Sequence, residues 1–135
     1  MNPADEQAIR ELAREWAGAW SRHDMPAMHA LMTEDAELVT VAGAHWQGRE
    51  QIQQAHTRLH RQQLRHSVWQ NLAVEVQALA ADLALAHVRW QMQGELAADD
   101  TPKAPREVIV SWVLVRSAGG WHIRAGHTTN VLPPA

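Results

Sequence analysis

The sequence predicts an α+β domain in which three helices precede and cover one sheet, and three observations carry that prediction. Apolar residues recur at helical spacing in three separate stretches before residue 64. A single short strand, Ala36–Val41, interrupts them. From Ser67 onward the pattern changes to period two and persists through four long segments. Helices first and strands afterwards place the helices together on one face of an antiparallel sheet. At 135 residues the chain suits a single domain spanning 1–135, large enough to bury roughly two thirds of its unfolded surface.

Each element has its own signature. Asn2-Pro3 starts the first helix, with Asp5 and Glu6 near the positive end of its dipole. Ile9, Leu12, Ala13, Trp16, Ala17 and Trp20 then repeat along one face to about residue 22. Asp24 caps a short second helix, with Pro26 in its first turn and Met28, Leu31 and Met32 on the buried side. After the Ala36–Val41 strand and a turn at Gly43, Trp46-Gln47-Gly48 leads into a third helix over 49–63. Ile52, Ala55, His56 and Leu59 share one face of it, so a histidine stands where an aliphatic side chain is the ordinary choice.

The four long strands are 67–79, 83–96, 106–116 and 121–131. In the first, Leu72, Val74 and Val76 alternate with Ala73, Glu75 and Gln77, with the apolar set expected on the buried face. Ala81-Asp82 and Ala118-Gly119-Gly120 are turns; Ala97–Pro105 is a hairpin loop. Pro133-Pro134 ends the sheet.

Composition removes several function classes. A net charge of −3 argues against a nucleic-acid partner. No apolar run approaches the ~20 residues of a membrane span, and the N-terminus lacks a signal peptide's apolar core; the default compartment is cytoplasmic. The absence of cysteine excludes a thiolate metal site and a cysteine nucleophile. Seven Trp, with no Phe and no Tyr, carry all the aromatic packing, and no phenol is available as acid, base or oxyanion donor. No P-loop, glycine-rich dinucleotide turn or GxSxG elbow occurs.

Four segments, WSRHDMPAMHALMTEDAEL, His45-Trp46-Gln47-Gly48 leading to Ile52, His87-Val88-Arg89-Trp90, and Gly120-Trp121-His122-Ile123 through His127-Thr128, resemble the nuclear transport factor 2-like superfamily, and within it the SnoaL-like, SgcJ/EcaC branch. The resemblance covers nearly the whole chain. It implies a cone-shaped, strongly curved mixed or antiparallel sheet with the three N-terminal helices packed on its concave face. It also implies a homodimer through the outer sheet face. Its members include cyclases, isomerases, dehydratases and proteins that only bind or dimerise, so it does not choose a reaction. Steroid-isomerase relatives need a carboxylate and a phenol where this chain has Thr40 and Trp16; scytalone-dehydratase relatives use tyrosines. Both activities are disfavoured.

Histidine is the remaining candidate for proton transfer near neutral pH. On the last strand Trp121, Ile123, Ala125 and His127 share the more apolar face, which puts His127 in the same interior space as His56. Such a pair is the candidate acid and base for proton exchange alpha to a carbonyl. The competing reading is a core histidine hydrogen-bonded to backbone or an indole. Trp16, Trp20, Trp46, Trp90 and Trp112 are the candidate ligand-binding residues, with plain core packing as their alternative role. Trp90 is expected to face the cavity and His87 the outer sheet face. His56 and His60 stand four apart, the spacing at which two imidazoles share a metal, but no Glu lies between them as in HExxH; no metal or cofactor is expected.

Leu85, Ile109, Val113 and Val115 leave the outer sheet face apolar, which a second copy would cover. Three functions stand open: a pocket protein for a small, largely apolar organic molecule lined by Trp46, Trp90 and His127; an enzyme of cyclisation, isomerisation or dehydration using His127 and His56; and a dimerisation module with a filled core.

Overall fold

Asn2 caps α1 (Pro3–Ser21), its Oδ1 accepting the Asp5 N–H at 2.8 Å, while Pro3 occupies a position whose N–H has no helical partner in any case. The computed structural model describes residues 1–134. Ile9, Leu12, Ala13, Trp16, Ala19 and Trp20 form the buried stripe of α1. Asp24 caps α2 (Met25–His29) in the same way, through the Ala27 N–H at 3.1 Å. α3 (Arg49–His60) starts at Gly48, whose φ of 90° favours glycine and which offers no capping side chain. The Gln51 side chain reaches back past the helix start, its Oε1 accepting the N–H of Gln47 at the end of the preceding strand at 2.6 Å.

Six strands form one open sheet: β1 (Met32–Val39), β2 (His45–Gln47), β3 (Val68–Ala80), β4 (Leu83–Gln93), β5 (Arg106–Ser117) and β6 (Gly120–Asn130), in the order β2-β1-β6-β5-β4-β3. β1 runs parallel to β6 and every other pairing is antiparallel, so the sheet is mixed. It is not closed into a barrel. α3 carries the chain from β2 at one edge back to β3 at the other. Pairing with Ala44 and Trp46 makes a hairpin of the segment around Gly43, and the first strand ends at Val39 rather than Val41.

One face of the sheet is the core. Ala84, Ala86, Val88, Trp90 and Met92 on β4, and Val108, Val110, Trp112 and Leu114 on β5, alternate without a break and are all buried. The flanking strands do not alternate so simply. In β3 the pairing slips between Asn71↔Trp90 and Ala73↔Arg89, which leaves Leu72 as an extra residue. Leu72 is therefore 49% exposed, and Asn71 takes its expected place facing α1, where Nδ2 donates to the Ala13 carbonyl at 3.1 Å. In β6 the slip falls between Val113↔Ala125 and Leu114↔Ile123, so Arg124 is the extra residue. Each such bulge bends the sheet and reverses the side-chain phase beyond it. Among the described residues no helix is long and apolar enough to cross a membrane.

Candidate functional site

α1, α3 and the concave sheet face leave a cavity of about 420 Å³ between them, within the range of small-molecule sites. Six of the seven tryptophans line it: Trp16 and Trp20 from α1, Trp46 from β2, Trp69 from β3, Trp90 from β4 and Trp112 from β5. Leu38, Leu59, Met92 and Val110 add aliphatic wall. Strand alternation aims Trp90 and Trp112 inward, and the α1 stripe aims Trp16 and Trp20 at them. Trp16 meets Trp112 edge to face at 5.5 Å, and Trp20 meets Trp69 in the same way at 5.0 Å. Trp20 Nε1 donates to Ser67 Oγ at 3.0 Å, whereas the indole N–H groups of Trp16 and Trp90 are buried without a partner.

His56 is the polar group set among the tryptophans; Thr40, Gln63, Thr128, Glu95 and Arg106 also reach the cavity. It is 6% exposed, and Trp16, Trp20 and Trp46 each present to its ring at 5.2–6.2 Å. Its Nδ1 lies 2.8 Å from Nε2 of His29, which is 1% exposed and whose Nδ1 lies 2.6 Å from the Met25 carbonyl oxygen. Burial pushes the His56 pKa well below the ordinary histidine value, and the neighbouring His29 and His60 push it the same way. Burial lowers that of His29 too, against the opposing pull of the Met25 carbonyl. Both imidazoles are neutral at pH 7.

A second histidine pair joins buried His60 to half-buried His23, Nδ1 to Nδ1 at 2.8 Å. His56 and His60, expected as neighbours on one helix, thus turn to different histidines, with ring centroids 6.4 Å apart. Burial, then the proximity of His23 and His29, brings His60 down to about 4. At the cavity mouth Glu95 and Arg106 form an ion pair at 2.8 Å. Burial raises the Glu95 pKa, but the Arg106 hydrogen bond and charge, with Lys103, hold it below the usual carboxylate range.

The candidate residues divide accordingly. Trp16, Trp20, Trp46, Trp90, Trp112 and His56 come together around one space. His127 does not join them: it is exposed on the opposite, convex face of the sheet, paired with Ser111 on β5 and beside Val39 on β1. The bulge at Arg124 is the reason, because it puts Ala125 and His127 out of phase with Trp121 and Ile123 and turns Gly126 and Thr128 inward. The expected His56–His127 acid–base pair does not exist; the partner of His56 is His29. Sequence reasoning missed His29 and Trp69. Met25 and His29 stand four apart, the spacing that lets a side chain reach back to the preceding turn's carbonyl, but a five-residue helix gives little periodicity to read. Trp69 was hidden by the bulge at Leu72, which shifts it onto the buried face.

The description "SnoaL-like domain" fits residues 3–127 of the chain. The chain belongs to that family. Solved structures agree on the fold of this SnoaL-like domain. It is similar to an uncharacterised protein with a cystatin-like fold from Caulobacter vibrioides at 25% identity, with a TM-score of 0.88 over 96% of this chain and 92% of that one. It is similar to a nuclear transport factor 2-like protein with a cystatin-like fold from Novosphingobium aromaticivorans at 22% identity, with a TM-score of 0.82 over 98% and 85% of the two chains. A member of the same superfamily from Streptomyces avermitilis matches at 16% identity, with a TM-score of 0.84 over 98% and 100%. No curated protein matches. The fold of the SnoaL-like domain is thereby fixed, and its chemistry rests on the cavity.

Proposed function

We propose that this SnoaL-like domain binds a small, flat, largely apolar organic molecule among its tryptophans, with His56 as the polar contact on the indole wall. The observation that supports this reading is the cavity itself: six indoles from five separate elements converge on a space that their own side chains leave open. A core built only for stability closes such space, since unfilled volume forfeits packing energy. Titration of the protein with 2-naphthol, followed by tryptophan fluorescence, tests it. Saturable quenching is expected, and Leu38→Trp, which fills the cavity from β1, abolishes it while the far-ultraviolet circular dichroism stays unchanged. Equal quenching of both proteins overturns the reading.

The His29–His56 hydrogen bond favours a second reading, in which His56 moves a proton of the bound molecule in an isomerisation, cyclisation or dehydration. A hydrogen-bonded partner that orients an imidazole is the arrangement general-base catalysis uses. His56→Ala distinguishes the two: an enzyme loses ~10²-fold or more in turnover, whereas a binder has no turnover to lose.

The convex face supports a third element of the proposal, a homodimer. Leu85, Val113, Val115 and Ala125 lie half-exposed on adjoining strands, and a second copy placed sheet to sheet covers them. Light scattering of the wild type and Val113→Lys checks it: the expected change is from dimer to monomer, and identical masses refute it.

A further inference from the structure

We infer that the cavity selects an uncharged ring compound bearing a hydroxyl or N–H donor, because His29 fixes His56 as a pure hydrogen-bond acceptor toward the ligand; the inference rests on the binding reading above. The Met25 carbonyl oxygen can only accept, so the 2.6 Å contact requires the proton of neutral His29 to sit on Nδ1. Its Nε2 is then a lone pair. The 2.8 Å contact from that nitrogen to His56 requires His56 to carry its own proton on Nδ1. Every proton in the relay therefore points away from the cavity, and His56 Nε2 is left as an unprotonated acceptor with no protein partner. His29 does not line the cavity and His56 does, so the ring edge opposite His29 is the one offered to a ligand.

Charge completes the specification. Among the described residues, Glu95 and Arg106 are the charged groups lining the cavity, and they neutralise each other at 2.8 Å. An ionised ligand finds no free counter-charge there and loses its hydration to an indole wall. A phenol or a ring N–H meets both conditions, an aldehyde is uncharged but brings no donor, and a carboxylate meets neither.

Three probes of one size separate the possibilities: 2-naphthol, 2-naphthaldehyde and 2-naphthoate, titrated by fluorescence or calorimetry. Naphthol is expected to bind about tenfold or more tightly than naphthaldehyde, the ratio that one satisfied against one unsatisfied buried hydrogen bond gives, and naphthoate most weakly. His29→Leu frees the His56 tautomer to present an N–H, so the naphthol-to-naphthaldehyde ratio falls toward one; a residue with only a structural role would weaken both probes alike. Equal binding of naphthol and naphthaldehyde to the wild type overturns this inference and leaves the pocket reading standing. Failure of all three probes to bind overturns both. Should His29→Leu not fold, nitrogen-15 shifts of the wild-type imidazoles decide the matter. A pyridine-type Nε2 on His56 supports the relay, and a pyrrole-type Nε2 refutes it.

Discussion

Trp69 and Trp90 lie face to face, ring centroids 3.5 Å apart and planes within 5° of parallel. Indoles left to themselves prefer offset or edge-on contacts, because the two π faces carry like partial charge. The stack is therefore imposed by its surroundings. The register of β3 against β4 sets the two residues diagonally across the pair, and Trp69 Nε1 donates to Asn71 Oδ1 at 2.7 Å. Asn71 is in turn anchored to the carbonyl of Ala13 on α1. Trp69→Ala removes one wall of the cavity and one half of the stack, at an expected cost of about 3–5 kcal/mol in denaturant unfolding. The coupled near-ultraviolet dichroism of the two indoles disappears with it, and its persistence in the variant contradicts the stacked geometry.

Gly126 faces the interior, behind Leu38 and Trp112 of the cavity wall, because of the bulge at Arg124, and the packing has closed onto its missing side chain. A Cβ there would stand 2.6 Å from Leu38 Cδ2 and 3.1 Å from Trp112 Cδ1. Leu38 can give way into the cavity, whereas the buried Trp112 cannot move. Gly126→Ala is expected to lower stability by about 1–3 kcal/mol, the range for an overpacked methyl group. Because Leu38 yields inward, affinity for 2-naphthol falls in the same variant. Loss of stability with unchanged affinity would place the strain elsewhere.

The buried histidines predict how stability follows pH. His29, His56 and His60 all have folded-state pKa values below the ordinary 6.5, with His60 at about 4. Between those limits the unfolded chain binds protons that the folded chain refuses, so folding stability falls as pH drops. The contribution is intact above about 6.5 and declines on acidification toward 4. Each such histidine adds a slope of at most about 1.4 kcal/mol per pH unit. Urea midpoints measured from pH 7.5 to 4.5 should fall progressively, and His60→Gln should flatten the slope. A pH-independent midpoint in the wild type excludes buried neutral imidazoles.

Most of the fold was legible because it depends on periodicities that local chemistry preserves. The α1 stripe, the two caps at Asn2 and Asp24, and the uninterrupted alternation of β4 and β5 follow directly from residue order. The same alternation sent Trp90 inward, where it lines the cavity, and His87 to the outer face, where the structure sets it 2.9 Å from Ser111. It failed where one residue was added to a strand. Leu72 and Arg124 are ordinary residues for a strand, and nothing local distinguishes a bulge from a pleat; only pairing with the regular neighbours β4 and β5 exposes the extra residue. Two additions misplaced His127, Leu72 and Trp69. The His29–His56 contact was invisible for a different reason: it joins two helices 27 residues apart through side chains alone.

Gly94 ties the cavity wall to the turn that follows α3. Its φ is 78°, and a Cβ would stand 2.1 Å from the His66 carbonyl oxygen, a backbone atom that cannot step aside cheaply. The next residue, Ser67, is fully buried; its hydroxyl donates to the Leu64 carbonyl at 2.7 Å and accepts the Trp20 N–H at 3.0 Å. Gly94→Ala therefore combines backbone strain with displacement of the serine that holds Trp20, and it is expected to cost more than Ser67→Ala. Ser67→Ala leaves the Trp20 N–H buried and unsatisfied, which costs about 1–3 kcal/mol. Paired unfolding curves check the order: a Gly94→Ala variant as stable as the wild type refutes the close approach. A neutral Ser67→Ala would mean that Trp20 does not depend on that hydroxyl for its position.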